Sequence, residues 1–353
     1  MVNGIFPIIK ILTIAAVAFV VALFSTPILT HFLYKYRLGK KVRNDGTTPI
    51  YTSLHKKKEG TPTMGGILIW ATVALLAVGI LFLTKLFGPD TIFSDFNFLT
   101  RKQTLLPLGI LLFAAIIGLV DDLIGVFKIG PEGRGLRLRQ RLIIFTIIAI
   151  VGAYWFYFKL DWDLIHIPFI GDFNIGFWYV PIFIFIIVAT AFSTNQTDGL
   201  DGLVGGILLV AFSAYAVISY AQGRLELAAF CGAVVGALLA FLWFNIHPAR
   251  FFMGDTGSMS LGITLGVIAM LTNSLFFLPF IGFILVVESL TTIIQVVSKK
   301  IRHKKVFLSA PIHHHFEAKG WPETKVTMRF WIISGVMAAI GLILFFIDRN
   351  FIN

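Results

Sequence analysis

Long runs of apolar residues, separated by short polar segments, make up most of this chain. Most of these runs reach the length of about 20 residues that a helix needs to cross a lipid bilayer. The pattern therefore predicts an all-α, polytopic integral membrane protein in which residues 1–353 form a single transmembrane domain. We predict about ten spanning helices, at residues 6–34, 63–86, 104–120, 142–158, 177–193, 203–221, 225–244, 259–271, 277–298 and 330–347.

The composition strengthens this prediction. Hydrophobic residues make up 57% of the chain, charged residues only 13%, and the mean hydropathy is +0.88, all far from the values of a soluble domain. The first run lacks the small-residue cleavage site of a signal peptide, so we predict a retained span. Cys231 is the only cysteine and lies in a predicted helix, which excludes an intrachain disulfide framework and favours a packing role.

Lys and Arg are distributed unevenly between the two ends of the predicted helices. The segments that follow odd-numbered helices contain 22 of the 29 Lys and Arg residues, and short cytoplasmic loops are enriched in these residues. We therefore predict that both termini lie on the outer, periplasmic face. The net charge of +11 then favours contact with anionic lipid headgroups, and nucleic acid is excluded as a partner because no soluble domain is present to bind it. The active-site face is predicted to consist of the cytoplasmic segments 35–62, 121–141, 194–202, 245–258 and 299–329.

Asp121, Asp122, Asp198, Asp201 and Asp255 fall on this predicted cytoplasmic face. Asp121 and Asp122 end an apolar run, where a solvated pair without function is disfavoured because negative charge opposes the dipole of a helix C-terminus. Asp198 and Asp201 would share one face if a helix began there, and an N-cap role for Asp198 is the alternative. Asp255 lies in a Gly-containing turn that suits phosphate or simply joins two helices. Together they predict a carboxylate-rich site in which Mg²⁺ would fit.

Two further polar segments belong to the same predicted face. His313, His314 and His315 are consecutive, so their side chains point in different directions, and contact with phosphate is favoured over zinc. The run Gly60-Thr-Pro-Thr-Met-Gly-Gly66 follows Lys58 and enters the second predicted helix. Cations at this position could simply anchor the helix at the cytoplasmic face. The Gly-Thr-Pro-Thr-Met-Gly-Gly run is too specific for that role alone.

These motifs, as a set, resemble the phospho-N-acetylmuramoyl-pentapeptide-transferase family, in the superfamily of polyprenyl-phosphate N-acetylhexosamine-1-phosphate transferases. The resemblance implies transfer of phospho-N-acetylmuramoyl-pentapeptide from UDP-N-acetylmuramoyl-pentapeptide to undecaprenyl phosphate. The products would be lipid I and UMP, with Mg²⁺ as cofactor, at the bacterial cytoplasmic membrane. The alternative function is that of a sibling transferase that uses UDP-N-acetylglucosamine as donor. The sequence does not determine the oligomeric state, and a homodimer is possible. The motifs are Gly60–Gly66, Asp121-Asp122, Thr197-Asp198-Gly-Leu-Asp201-Gly202, Phe252-Met-Gly-Asp255 and Ala310-Pro-Ile-His-His-His-Phe-Glu317.

The resemblance also implies roles for individual residues. Asp255 is expected to bind Mg²⁺ and Asp121 to activate the lipid phosphate, with Asp122 and His314 as further members of the catalytic group. We favour direct attack by the lipid phosphate, an anionic nucleophile that needs only positioning and charge shielding, although an acid pair also suits a covalent intermediate. The implied substrate-binding residues are Lys58, Thr63, Asn195, Asp198, Asp201, Asn245, Phe252, Gln295, His313 and His315, with Phe252 able to stack on uracil.

Three positions depart from the family pattern. Gly125 stands where relatives commonly have a lysine, and Phe192 where they often have Asn. The segment Arg137-Leu-Arg-Gln-Arg141 replaces the usual Gln-Lys. Arginine keeps the positive charge but cannot take part in proton transfer. The cation that partners the Asp121-Asp122 pair therefore stays unidentified in the sequence.

A transporter or channel is the alternative outside the enzymes. Such proteins place ionisable residues near the bilayer midplane, whereas only Glu288 lies well inside a long predicted span and the five aspartates of the predicted site cluster at one face. This distribution favours the enzyme. The role of Glu288 stays open, either in a pair with a neighbour or along a groove.

Overall fold

The computed structural model describes residues 2–39, 58–101, 103–129 and 135–352. Within these ranges, nine helices are long and apolar enough to cross a membrane, or ten when a bent pair of helices is counted as one span. The prediction of an all-α, polytopic protein with about ten spans is therefore confirmed.

Ten long helices, three short ones and one β-hairpin, between α5 and α6, lie within the described ranges. The hairpin strands, β1 Leu164–Ile167 and β2 Gly171–Asn174, are antiparallel and pair Leu164 with Asn174. Single 3₁₀ turns lie at Gly176–Trp178 and Leu275–Phe277. The helices are α1 Val2–Lys35, α2 Ile67–Phe87, α3 Ile92–Phe96, α4 Leu105–Val126, α5 Leu138–Lys159, α6 Tyr179–Thr197, α7 Leu203–Ala221, α8 Leu225–Asn245, α9 Gly254–Leu271, α10 Leu278–Ile281, α11 Phe283–Ile301, α12 Ile312–Ala318 and α13 Glu323–Ile352.

The ninth predicted span, 277–298, is not one straight helix. The segment Leu275–Ile281 and α11 meet at an angle of 83°. Pro279 and Gly282 lie at this bend, and proline and glycine are the usual causes of sharp helix kinks. Apolar residues continue across the bend, so the hydrophobic pattern alone could not reveal it.

Helix α9 forms the centre of the bundle, because all 18 of its residues are buried. Helices α4 and α6 pack along it, and glycines bring the backbones close together. An ideal Cβ atom on Gly118 of α4 would lie only 2.4 Å from the backbone oxygen of Asp255, and one on Gly262 would lie 2.8 Å from that of Thr190. Small residues allow such close packing between membrane helices. The start of α9, with Asp255, is therefore fixed against α4.

His166 fastens the β-hairpin to the last helix. Its Nδ1 atom lies 2.7 Å from Asp172 and its Nε2 atom 2.7 Å from Asp348 of α13, while the backbone N–H of Phe169 donates to Asp348 at 2.6 Å. Burial disfavours the charged imidazole, but the hydrogen bonds to Asp348 and Asp172 outweigh it and raise the pKa of His166 above its ordinary value. The clamp therefore favours the protonated ring.

We expect the clamp to hold the hairpin more tightly in acid than in alkali. Because the folded state raises the pKa of His166 above 6.5, its stabilisation is complete below that value and is lost as the pH rises through the raised pKa. Amide hydrogen exchange of residues 164–174, corrected for intrinsic rates, should therefore increase between about pH 6 and about pH 9. The His166→Gln variant should lack this dependence, and an unchanged dependence in the variant would refute the clamp.

Candidate active site

Backbone hydrogen bonds join the segment before α2 to the segment before α9. The N–H of Gly65 donates to the carbonyl of Phe252 at 2.8 Å, and the N–H of Phe252 donates to the carbonyl of Pro62 at 2.8 Å. An ideal Cβ on Gly66 would lie 2.3 Å from the Cα of Gly257, so a side chain at position 66 would separate the two segments. Two of the sequence motifs therefore form one structural unit.

Gly254 begins α9 in a conformation that favours glycine, with φ of 74°. An ideal Cβ at this position would lie 2.6 Å from Oδ2 of Asp122 and 2.6 Å from Oγ1 of Thr63. The backbone N–H of Thr256 donates to Oδ2 of Asp122 at 3.0 Å, a favourable place for a carboxylate because the first turn of a helix carries partial positive charge. The sequence suggests that the backbone N–H groups of this turn could bind phosphate. In the structure, the N–H of Thr256 instead donates to the carboxylate of Asp122.

Arg141 joins the aspartates of α4 to the aspartate of α9. Its Nε lies 2.8 Å from Oδ2 of Asp121, its Nη2 lies 3.0 Å from Oδ2 of Asp255, and its Nη1 donates to Oδ1 of Asn195 at 3.1 Å. Asn195 in turn donates to Oδ1 of Asp255 at 2.7 Å. The side chains of Asp121, Asp122 and Asp255 are buried, so a solvated pair at 121–122 is wrong. We call these five residues the carboxylate centre, in which Arg141 meets the aspartate pair.

The loop before α5 places Arg141 in this position. The backbone N–H of Leu136 donates to Oδ1 of Asp121 at 2.8 Å, and Gly135 adopts a φ of 81° beside the same carboxylate. This anchor starts α5 at Leu138, which puts Arg141 within the first helical turn. Within the described residues, the cation that contacts Asp121 therefore comes from the next helix.

A second cluster surrounds Lys58. Its Nζ lies 2.7 Å from Oδ1 of Asp201 and also contacts Glu323, while Nδ1 of His247 lies 2.9 Å from Oδ2 of Asp201. We use the name lysine cluster for Lys58, Asp201, His247 and Glu323. The ring of Phe252, centred 5.8 Å from Nζ of Lys58, connects this cluster to the segment before α9.

The two main charges of the lysine cluster stabilise one another. Burial opposes the charge on Lys58, but the carboxylates of Glu323 and Asp201 raise its pKa above the ordinary value. Burial likewise opposes the charge on Asp201, but Lys58 and hydrogen bonds from Ala249 and His247 lower its pKa. Lys58 is therefore held as a cation and Asp201 as an anion.

Asp198 and Asp201 do not lie on a helix. Helix α6 ends at Thr197 and α7 begins at Leu203, so both aspartates occupy the turn between them. Asp198 follows the end of α6, and Gly202, not Asp198, is the residue that precedes α7. The shared helix face and the N-cap role, which the spacing suggested, are therefore both wrong.

Two places in the described part of the chain could hold a metal ion. One atom each from Asp201, His247 and Glu323 lie within 4.8 Å of one another, but the ammonium group of Lys58 already binds two of these carboxylates and a metal would have to displace it. The carboxylate centre offers oxygen donors from Asp255 and its neighbours, which is the donor type that Mg²⁺ prefers. Arg141 likewise contacts two carboxylates there, Asp121 and Asp255, but the third carboxylate, Asp122, leaves the centre with an excess of negative charge. The donors of the carboxylate centre therefore fit Mg²⁺ better than those of the lysine cluster.

Two of the predicted substrate-binding amides hold loops in this structure. Oδ1 of Asn245 accepts the N–H of Gly202 at 3.0 Å, and its Nδ2 donates to the carbonyl of Phe251 at 2.7 Å. Gln295 accepts from and donates to the backbone of Phe307 at 3.0 and 2.9 Å. Both side chains are buried. In this structure, the contacts of both side chains with the protein backbone hold the loops in place.

The three histidines lie on α12 and have separate partners. Nδ1 of His313 lies 2.8 Å from Glu288 of α11, and Nδ1 of His314 lies 2.7 Å from Glu317. Nδ1 of His315 accepts a loop N–H at 3.1 Å, and burial together with Lys319 lowers its pKa. Because the three rings turn to different partners, the preference against zinc is supported by the geometry.

The sequence does not identify Arg141, His247 and Glu323 of the two clusters as site residues, nor Glu288, the partner of His313. Arg141 stood out only as a departure from the family pattern, and Glu288 only as a buried acid without a role. His247 and Glu323 lie at loop ends on the predicted cytoplasmic face. Their polar side chains beside Pro248 and Pro322 were the only available signal, and it is a weak one.

The fold and the two clusters define a class, a polytopic membrane protein with a buried carboxylate site assembled from the ends of its helices. Residues 104–273 match the family model described as glycosyl transferase family 4. Residues 58–69 match the model described as phospho-N-acetylmuramoyl-pentapeptide-transferase signature 1. The signature covers Lys58, Thr63 and the glycines that pair with the start of α9.

Curated relatives cover almost the whole chain and carry the name phospho-N-acetylmuramoyl-pentapeptide-transferase. The relative from Chloroflexus aggregans is 40% identical over 94% of this chain and 89% of its own length. Those from Clostridium novyi and a Geobacillus species are 39% and 38% identical, over 93% and 92% of this chain and 94% of their own lengths. This chain belongs to the phospho-N-acetylmuramoyl-pentapeptide-transferase family.

The Arg141→Gln variant should be much less stable than the wild type. Removing one partner of a buried ion pair leaves buried carboxylates without their cation, which costs about 3–5 kcal/mol. Thermal unfolding of the purified protein in detergent, without added metal, measures the loss. Arg139→Gln is the matched control, since Arg139 is exposed on the same helix, and equal midpoints for both variants would refute the bridging role of Arg141.

Proposed function

We propose that this chain transfers phospho-N-acetylmuramoyl-pentapeptide from UDP-N-acetylmuramoyl-pentapeptide to undecaprenyl phosphate, producing lipid I and UMP in the first membrane step of peptidoglycan synthesis. The observation that carries the proposal is that Arg141 joins the buried carboxylates of Asp121 and Asp255. Phe252, three residues before Asp255, has its ring centre 5.8 Å from Nζ of Lys58 in the lysine cluster. Family membership supplies the two substrates. The geometry supplies a place where an anionic nucleotide and a lipid phosphate can react.

In the proposed reaction, an oxygen of undecaprenyl phosphate attacks the phosphorus that carries the sugar. The bond between this phosphorus and the oxygen that leads to UMP breaks, and UMP leaves with the electron pair. Two anionic phosphates repel each other, so positive charge and fixed positions are the main requirements. Arg141 supplies part of this positive charge, because its guanidinium can bind a phosphate through two N–H groups.

Asp255 is the proposed Mg²⁺ ligand, with other oxygens of the carboxylate centre beside it. The donor set carries three carboxylates, of which Arg141 offsets one charge, and it contains no sulfur or imidazole. Bound Mg²⁺ would supply positive charge that stabilises the transferred phosphate. Both oxygens of Asp255 contact Arg141 or Asn195, so we expect these contacts to rearrange when the metal binds.

Asp121 is proposed to activate the lipid phosphate rather than to form a covalent intermediate. Its oxygens already contact the guanidinium of Arg141 and the N–H of Leu136, and such contacts weaken a carboxylate as a nucleophile. A phosphate monoester needs no further activation than positioning and charge shielding. Asp122, bonded to the N–H of Thr256, would hold the start of α9, and His314 would complete the catalytic group.

The lysine cluster is proposed as the nucleotide side of the site. Phe252 is half-buried, lies next to Lys58, and offers a ring on which uracil can stack. Lys58, fixed as a cation by Asp201, is suited to an anionic or carbonyl group of the donor. Proposed contacts with the substrates also include Thr63, Asn195, Asp198, Asn245, Gln295, His313 and His315.

We place this site at the cytoplasmic face of the cytoplasmic membrane, with both termini outside. Residues of the two clusters come from all five segments that the charge distribution assigns to that face. The donor is soluble and polyanionic and the acceptor has a lipid tail, so the reaction requires a site at this boundary. Membrane lipid is a partner of the helix surfaces, which expose large apolar side chains such as Phe24 and Trp243.

The Asp255→Asn variant should lose Mg²⁺-dependent UMP release by about 100-fold or more, because the charged metal ligand becomes neutral. UMP is measured with both substrates and a Mg²⁺ titration. Asp90→Asn, an exposed aspartate on the opposite predicted face, should retain wild-type activity. A wild type without Mg²⁺-dependent UMP release would overturn the proposal, and a preference for UDP-N-acetylglucosamine as donor would favour the sibling transferase.

The orientation has a separate test, which exploits the single buried cysteine. In a Cys231→Ala background, His303→Cys after α11 and Asp90→Cys after α2 place exposed thiols on opposite predicted faces. A membrane-impermeant maleimide should label position 303 only in inside-out vesicles and position 90 only in right-side-out vesicles. The reverse pattern would place the site outside the cell and contradict the proposed location.

A further inference from the structure

Glu288 is an acid inside a membrane-spanning segment, and its side chain is completely buried. A carboxylate in such surroundings is strongly disfavoured unless a partner meets it, so a buried acid in a span usually has a functional reason. Neither the sequence pattern nor the proposed reaction gives Glu288 a role. A partner within the protein is therefore expected for its carboxylate.

The partner of Glu288 is His313. Oε2 of the glutamate lies 2.8 Å from Nδ1 of the histidine, and both side chains have an exposure of 0%. The contact joins α11, in the membrane, to the short helix α12. Within the described part of the chain, neither Oε1 of Glu288 nor Nε2 of His313 has a hydrogen-bond partner. Since Nδ1 is bonded to Glu288, Nε2 is the ring nitrogen that stays available.

The available nitrogen lies against the turn between α6 and α7. An ideal Cβ on Gly199 would be 2.4 Å from Nε2 of His313 and 3.0 Å from Cε1. The imidazole edge therefore packs directly on the backbone between Asp198 and Leu200, where only glycine leaves enough space. This is the turn whose Asp201 binds Lys58 at 2.7 Å.

We propose that Glu288 is a positioning residue that acts through His313. Its carboxylate accepts a hydrogen bond from the Nδ1–H group, fixes the tautomer and the orientation of the ring, and thereby sets Nε2 against the turn that carries Asp198 and Asp201. This inference rests on the proposed function, in which His313 and that turn contact the nucleotide donor. A carboxylate that orients a histidine through its second nitrogen is a well-known device in protein sites.

A double-mutant cycle tests whether Glu288 acts through His313. Glu288→Leu removes the acceptor and suits a membrane helix, and His313→Asn removes the ring. Loss of an orienting partner typically lowers activity about 10- to 100-fold, so each single variant should lose that much in kcat/KM for the UDP donor. The double variant should lose no more than His313→Asn alone, because the two residues act as one unit. Losses that multiply would overturn the proposal.

The tautomer gives a readout that a purely structural role would not change. In the wild type, ¹⁵N NMR of labelled histidine should place the proton of His313 on Nδ1, with the signal assigned by its absence in His313→Asn. In Glu288→Leu the proton should move towards Nε2. An unchanged His313 signal in that variant would overturn the proposal.

A conservative variant keeps the test decisive if Glu288→Leu does not fold. Glu288→Gln retains an oxygen that can accept the Nδ1 proton, so it should keep the wild-type tautomer and lose less than about 10-fold in kcat/KM. A Gln variant that loses the Nδ1 proton would overturn the proposal. Glu226→Gln, which removes a half-buried acid from the start of α8, is the control and should behave as the wild type.

The same assay separates this inference from the proposed function. Wild type and Asp255→Asn are measured beside the cycle. A wild type that releases no UMP with Mg²⁺ refutes the proposed function. An active wild type in which the losses of Glu288→Leu and His313→Asn multiply refutes only the role of Glu288.

Discussion

The constraint on which this structure depends is that a charge inside an apolar bundle must be met by a partner from another segment. Water can hydrate a lone carboxylate at a soluble surface, but not one packed between membrane helices. Arg141 meets Asp121 and Asp255, Lys58 meets Asp201 and Glu323, and His313 meets Glu288. Every one of these contacts ties together two different helices or loops of the chain.

Such contacts specify the arrangement of the helices more than they stabilise it. A buried ion pair is often no more stable than an apolar pair of equal size, yet breaking it leaves an unpaired charge and is strongly destabilising. The glycines make the specification strict, because Gly118 and Gly254 bring the backbone of α9 so close to Asp122 and α4 that no side chain would fit. An alternative packing would have to separate these charges from their partners.

The sequence predicts the spanning helices and the aspartates of the site, but not the helix bend or the partners of these aspartates. Hydropathy is a property of each segment by itself, so the number of helices follows from it, whereas the bend at Gly282 changes direction without changing hydropathy. The aspartates stand out because acids are rare among apolar residues. The partners of the aspartates do not stand out. In the sequence Arg141 is one of several cations in the same loop, and only the packing of α5 against α6 brings it to Asp255.

In the proposed function, the two clusters have different roles because their charges differ. In the lysine cluster the cation is already fixed by its carboxylates, so a nucleotide would meet a preformed surface of Lys58 and Phe252. In the carboxylate centre three acids face one guanidinium, and an incoming phosphate would be repelled unless further positive charge arrived with it. The proposed Mg²⁺ would supply that charge. In the segment Phe252–Asp255, Phe252 lies beside Lys58 and Asp255 belongs to the carboxylate centre. This segment would then couple the proposed binding of the nucleotide to the arrival of the metal.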